Sequence, residues 1–123
     1  LLVNQNQLIS GSGDNTIKFW DMKTGQCIKT LEGHIDSIYS LIINSENELL
    51  SGSWDETIKV WDLKTFDCKK TITGHSEAIY SLIINSDNEL VSGAWDNKIK
   101  IWNMKTGECK RTLEGHVDGV ASL

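Results

Sequence analysis

Ser51-Gly52-Ser53-Trp54-Asp55-Glu56-Thr57-Ile58-Lys59-Val60-Trp61-Asp62 is the stretch from which the fold can be read. Thr57 to Trp61 alternates with a period of two, so Ile58 and Val60 share one face and Lys59 takes the other, as on a half-buried strand. Leu49-Leu50-Ser51-Gly52-Ser53 forms an apolar run just before it, and Ile38, Leu41, Ile42 and Ile43 form another before the turn chemistry of Asn44-Ser45-Glu46-Asn47. On the other side lies a turn at Lys64-Thr65-Phe66-Asp67, then a weaker strand from about Cys68 to Thr73. Strands joined by turns this short run antiparallel, and no window shows helical periodicity. One such unit is a four-stranded meander.

The unit recurs. Gly33-His34, Gly74-His75 and Gly115-His116 stand 41 residues apart, as do Trp20-Asp21, Trp61-Asp62 and Trp102-Asn103, and Asp14, Asp55 and Asp96. Residues 42–82 and 83–123 share 23 identities in 41 positions. The 123 residues therefore divide into three periods, 1–41, 42–82 and 83–123. The Lys64–Asp67 turn appears as Lys-Thr-Gly at Lys23 to Gly25 and Lys105 to Gly107.

Gly-His, an apolar strand and then Ser-Gly-Ser-Trp-Asp-Glu-Thr-Ile-Lys-Val-Trp-Asp resembles the WD40 repeat family, over the whole chain. Two departures from the family pattern are present: Ser-Glu-Asn-Glu or Ser-Asp-Asn-Glu replaces the usual Pro-Asp-Gly turn, and Trp102 is followed by Asn103. The resemblance implies an all-β fold, with about three four-stranded antiparallel blades of a β-propeller. Propellers have about 4 to 8 blades, so three make an open arc, with the first strand of each blade innermost and the cysteine-bearing strand outermost. Leu1-Leu2 aligns with Ile42-Ile43 at the end of an inner strand, while Val117 to Leu123 supplies the beginning of one. The expectation is a fragment of a larger propeller, its ring completed by further blades of a longer chain, with homo-oligomerisation the less favoured route.

The resemblance also implies a hydrogen-bonded chain within each blade, running from the turn Asp to the histidine, a serine and the tryptophan indole. The sets are His34, Ser51, Asp55 and Trp61, then His75, Ser92, Asp96 and Trp102; Ser10, Asp14 and Trp20 lack a histidine, and His116 lacks the rest. Ser, His and Asp together suggest hydrolysis, but a nucleophile would need a pocket and an oxyanion site. The same residue types recurring in every period speak for structure instead, because a buried indole N–H and imidazole each need a partner. No enzyme activity is expected.

Trp54 and Trp95 stand where the first period has Gly13, so the repeat does not require them. By resemblance they line the top face of the propeller with Ser37 and Tyr39 in one blade and Ala78 and Tyr80 in the next. Tryptophan and tyrosine dominate interface hot spots, which makes these six the candidate partner-binding residues. The expected function is a non-catalytic protein–protein interaction scaffold. The alternatives are a structural, assembly or sensor-array module without a ligand of its own, or the propeller domain of a larger enzyme.

Composition narrows the partners. The net charge is −5 and Arg111 is the one arginine, which disfavours nucleic acid. No apolar run approaches the roughly 20 residues of a membrane span, and Leu1-Leu2-Val3-Asn4-Gln5 lacks the features of a secretory signal. Cys27, Cys68 and Cys109 follow the period and not a metal motif, and read as small buried hydrophobes in a reducing, cytoplasmic setting, with the nucleus left open. The three histidines have no ligand set at metal spacing, and neither metal nor cofactor is expected. Lys18, Lys59 and Lys100 alternate with core residues and read as a solvated face.

Overall fold

A computed structural model describes residues 2–4 and 6–123; Leu1 and Gln5, and the alignment placed on Leu1, lie outside the described residues. Twelve strands follow in order: β1 (Leu2–Asn4), β2 (Gln7–Gly11), β3 (Ile17–Asp21), β4 (Cys27–Leu31), β5 (Ile38–Ile43), β6 (Glu48–Ser53), β7 (Ile58–Asp62), β8 (Cys68–Ile72), β9 (Ile79–Ile84), β10 (Leu90–Ala94), β11 (Ile99–Trp102) and β12 (Cys109–Leu113). They form three antiparallel four-stranded sheets, β1-β2-β3-β4, β5-β6-β7-β8 and β9-β10-β11-β12. This is a partial propeller. The period boundary at 41/42 falls inside β5 and that at 82/83 inside β9, so blades and arithmetic periods are offset. No helix among the described residues is long and apolar enough to cross a membrane.

The paired leucines of β6 show how blades stack. Leu49 joins Ile9, Ile17, Phe19 and Leu31 of the first sheet, whereas Leu50 joins Ile79, Leu82, Leu90 and Trp102 of the third. Neighbouring side chains on a strand point to opposite faces, so a sheet sandwiched between two others must be apolar on both. That is why every residue of β6 is buried. Polar bridges add to the packing: the Ile38 N–H donates to the Ser12 carbonyl at 3.1 Å, the Leu82 N–H to Ser40 Oγ at 3.0 Å, and Lys70 Nζ to the carbonyls of Met104 and Lys105 at 2.8 and 2.7 Å. Gly52 is required by the same close approach, since a Cβ there would lie 2.8 Å from Ile79 Cγ2.

Both departures from the family pattern have local explanations. Asn47 and Asn88 adopt φ of 59° in the turns where Pro-Asp-Gly is absent, a conformation asparagine tolerates. Asn103 Oδ1 accepts the N–H groups of Lys105 and Thr106 at 2.9 and 3.2 Å, as Asp62 Oδ1 accepts those of Lys64 and Thr65 at 2.7 and 3.2 Å. The turn uses one acceptor oxygen, which either side chain supplies.

All three cysteines are free thiols, but all three are exposed, which corrects the reading of them as small buried hydrophobes. Each opens the outermost strand of its sheet, opposite the tryptophan, beside a register shift at Phe19/Trp20, Val60/Trp61 and Ile101/Trp102. On the outermost strand of each sheet the thiol turns back on its own strand, with Cys68 Sγ 3.5 Å from the Lys70 carbonyl. Lys59 and Lys100 are half-buried, with Nζ donating to Thr71 Oγ1 at 3.0 Å and Thr112 Oγ1 at 2.9 Å.

Candidate interaction site

Antiparallel pairing brings the loops after β2, β4, β6, β8, β10 and β12 to one edge of the arc. The histidines arrive there from the loops after β4 and β8, and the turn aspartates from the loops after β6 and β10. In the second blade the Trp61 indole N–H donates to Ser51 Oγ at 2.9 Å, the Ser51 hydroxyl donates to His34 Nε2 at 2.7 Å, and His34 Nδ1–H donates to Asp55 Oδ2 at 2.6 Å. A carboxylate only accepts, so the proton sits on Nδ1 and the direction of the whole chain follows. In the third blade Trp102, Ser92, His75 and Asp96 repeat it at 2.8, 2.7 and 2.7 Å.

Burial lowers the pKa of His34 and His75, against the opposing pull of Asp55 and Asp96. Protonating Nε2 would also aim a second donor at a serine oxygen already taken by the indole. Burial pushes the Asp55 carboxyl up, but hydrogen bonds from Thr57 and His34 outweigh it and leave its pKa below the ordinary value. Thr57 Oγ1 donates to Asp55 Oδ1 at 2.6 Å. Ser51 and Ser92 have no accessible surface, so neither hydroxyl can reach a substrate.

In the first blade the indole of Trp20 still donates to Ser10 Oγ at 2.8 Å, but Asp14 accepts from Thr16 Oγ1 at 2.6 Å and meets no histidine among the described residues. Its carboxyl is held below its usual pKa by that threonine. His116 lies exposed at the far end.

Sequence reasoning passed over Thr57 and Ser53. Thr16 and Thr57 both follow the turn Asp by two residues, a repeat signal that marks the role. Ser53 is fully buried, donating to the Asp36 carbonyl at 3.0 Å and accepting the Asp55 N–H at 3.0 Å. Ala94 in the matching position gave no signal for it.

The aromatic candidates meet on the same edge. Trp54 contacts Tyr39 at 6.0 Å between ring centroids, Tyr39 contacts Tyr80 at 4.8 Å, and Tyr80 contacts Trp95 at 5.6 Å. Four rings from two blades make one row. Trp54, Tyr39 and Trp95 are 48%, 47% and 51% exposed, and Tyr80 is half-buried. The cause is a β-bulge in each inner strand. Ile38 pairs with Ser53 and Ser40 with Gly52, leaving Tyr39 as the extra residue; Ile79 and Ser81 flank Tyr80 in the same way. A bulge re-aims the extra side chain, here out of the strand's alternation and toward the next ring. Ala78 does not belong to the surface: it is 2% exposed, and its carbonyl accepts the Trp95 N–H at 2.8 Å. A residue held beneath the row at that backbone contact offers a partner no side chain. Ser37, half-buried, accepts the Trp54 N–H on its carbonyl at 2.9 Å. No group of three or more His, Cys, Asp or Glu among the described residues could hold a metal ion.

Residues 2–21, 25–62 and 66–103 match the family model described as WD domain, G-beta repeat. The Nuclear distribution protein PAC1 of Coccidioides posadasii (strain C735) is 55% identical over 31 residues, 25% of this chain and 7% of that protein. An F-box protein of Saccharomyces cerevisiae (strain ATCC 204508 / S288c) is 50% identical over 34 residues, 28% of this chain and 5% of that protein. The matched stretch is thus a small part of either relative's length.

Proposed function

We propose that this chain, which belongs to the WD40 repeat family, is a non-catalytic protein-binding module that seats a partner segment on the edge bearing Trp54, Tyr39, Tyr80 and Trp95. The observation that carries this reading is the continuous row of half-exposed rings. Exposing so much aromatic surface in one place costs solvation free energy that a structural role would have hidden, whereas rigid amphipathic rings make strong anchors for a partner. The buried serines argue against chemistry at the same edge, because the complete Ser-His-Asp groupings among the described residues have no accessible nucleophile.

Selection of a displayed random-peptide library on the whole chain tests the reading, with counter-selection on Trp54→Ala/Trp95→Ala. Peptides should emerge that bind the parent and lose at least tenfold in affinity on the double variant, while its circular dichroism is unchanged. A row merely inherited through duplication would yield no such peptides, or peptides that bind both proteins equally, and either result would overturn the proposal.

A further inference from the structure

Charge is distributed unevenly between the two edges of the arc. The loops 12–16, 32–37, 53–57, 73–78, 94–98 and 114–119, all on the aromatic edge, hold nine of the 17 acidic residues and one of the 12 basic ones, Lys98. Everything else holds eight acids against eleven bases, so a chain of net charge −5 carries its excess negative charge on one edge. Even Lys98 is engaged, with Nζ 3.1 Å from Glu114 Oε1.

Three of these acids directly precede a residue that touches a tryptophan of the row. Asp36 precedes Ser37, whose carbonyl receives the Trp54 N–H at 2.9 Å; Glu77 precedes Ala78, whose carbonyl receives the Trp95 N–H at 2.8 Å. Asp118 precedes Gly119, which lies against the Trp95 ring so closely that a Cβ there would be 2.4 Å from Cε3. On this edge acid and indole alternate in chain order, as Asp36, Trp54, Glu77, Trp95 and Asp118. All three acids are exposed.

We infer that the occupant of this edge is a cationic peptide segment, carrying at least two arginine or lysine side chains; this rests on the binding role proposed above. Indole and phenol faces attract a cation within about 6 Å of the ring centre, and the flanking carboxylates supply its counter-charges. The same potential repels phosphates and acidic segments and speeds the encounter with basic ones. Both the apolar rings and the acids are then used by one ligand.

The probe is a fluorescein-labelled decapeptide of alternating glycine and arginine, compared with glutamine and glutamate versions of it by fluorescence anisotropy on the whole chain at low salt. The arginine peptide should bind and quench indole emission, the glutamine peptide should bind at least tenfold more weakly, and the glutamate peptide should not bind. Neutralising Asp36→Asn, Glu77→Gln and Asp118→Asn together should weaken the arginine peptide about tenfold, three exposed pairs each contributing modestly. Glu77→Gln alone, at an exposed side chain, should cost about twofold. Neutralising Glu46, Asp87 and Glu108 at the opposite edge should change affinity less than twofold. Equal binding of the glutamine peptide, or an equal loss from the opposite-edge variant, would overturn the inference. If library peptides dependent on Trp54 and Trp95 prove uncharged, this inference falls while the binding role stands; if no library peptide depends on those tryptophans, the role itself falls.

Discussion

Ser51→Ala removes the centre of a buried hydrogen-bond chain. Its hydroxyl accepts the Trp61 N–H at 2.9 Å and donates to His34 Nε2 at 2.7 Å, and no water can replace it at a position with no accessible surface. The substitution strands one donor and one acceptor, each costing about 1–3 kcal/mol, so the expected loss is about 2–6 kcal/mol. Set against a total stability of about 5–15 kcal/mol, and a urea dependence of about 1–3 kcal/mol per molar, the unfolding midpoint should drop by about 1–3 M. Ser53→Ala is the internal control: that serine is equally buried, but the third blade places Ala94 there, so its loss should cost only about 1 kcal/mol. Ser92→Ala should match Ser51→Ala, and Ser10→Ala should cost less because the half-buried Trp20–Ser10 pair meets no histidine among the described residues. Urea unfolding followed by tryptophan fluorescence measures all four. If Ser51→Ala proved no more damaging than Ser53→Ala, the reasoning about the buried chain would be refuted.

Stability should also depend on pH through His34 and His75, whose pKa values are lowered by burial from about 6.5. The unfolded chain binds protons first, so the contribution is complete above about pH 6.5 and is lost as pH falls from there, with a limiting slope of about 1.4 kcal/mol per pH unit for each histidine; urea midpoints that stay flat between pH 8 and 5 would contradict this. Phe66 adopts φ of 66° where the other two repeats have Gly25 and Gly107, and packs edge-on against Phe19 at 5.4 Å. Phe66→Ala keeps the backbone strain and loses the ring, whereas Phe66→Gly loses the ring but relieves the strain, so the glycine variant should be the more stable by about 1 kcal/mol in urea unfolding. Cys27, Cys68 and Cys109 should all react with a thiol reagent in the native protein, and a native count below three would contradict their exposure.

Much of this molecule is decided by signals no longer than a strand and a turn. The 41-residue spacing of Gly-His and Trp-Asp, the two-residue alternation of Thr57 to Trp61 and the turn chemistry of Asn44 to Asn47 specify four antiparallel strands per repeat without reference to anything distant. What the sequence left open depends on how those units lie against one another. The bulges at Tyr39 and Tyr80 leave no mark in an apolar–polar pattern, yet they join two tryptophans of separate blades into one row. Ala78 shares its repeat position with the half-exposed Ser37 but is buried, because exposure is set by what covers a residue and not by its neighbours in sequence. The cysteines read as core residues by type, and only their place on the last strand of each sheet, seen in the structure, goes with their exposure. Phe66 stands in a turn where glycine would be expected, and its compensating contact with Phe19 lies 47 positions away in the sequence and in a different blade. Local physics determined the blades; the curvature of one blade upon the next decided which side chains reach solvent and which of them meet.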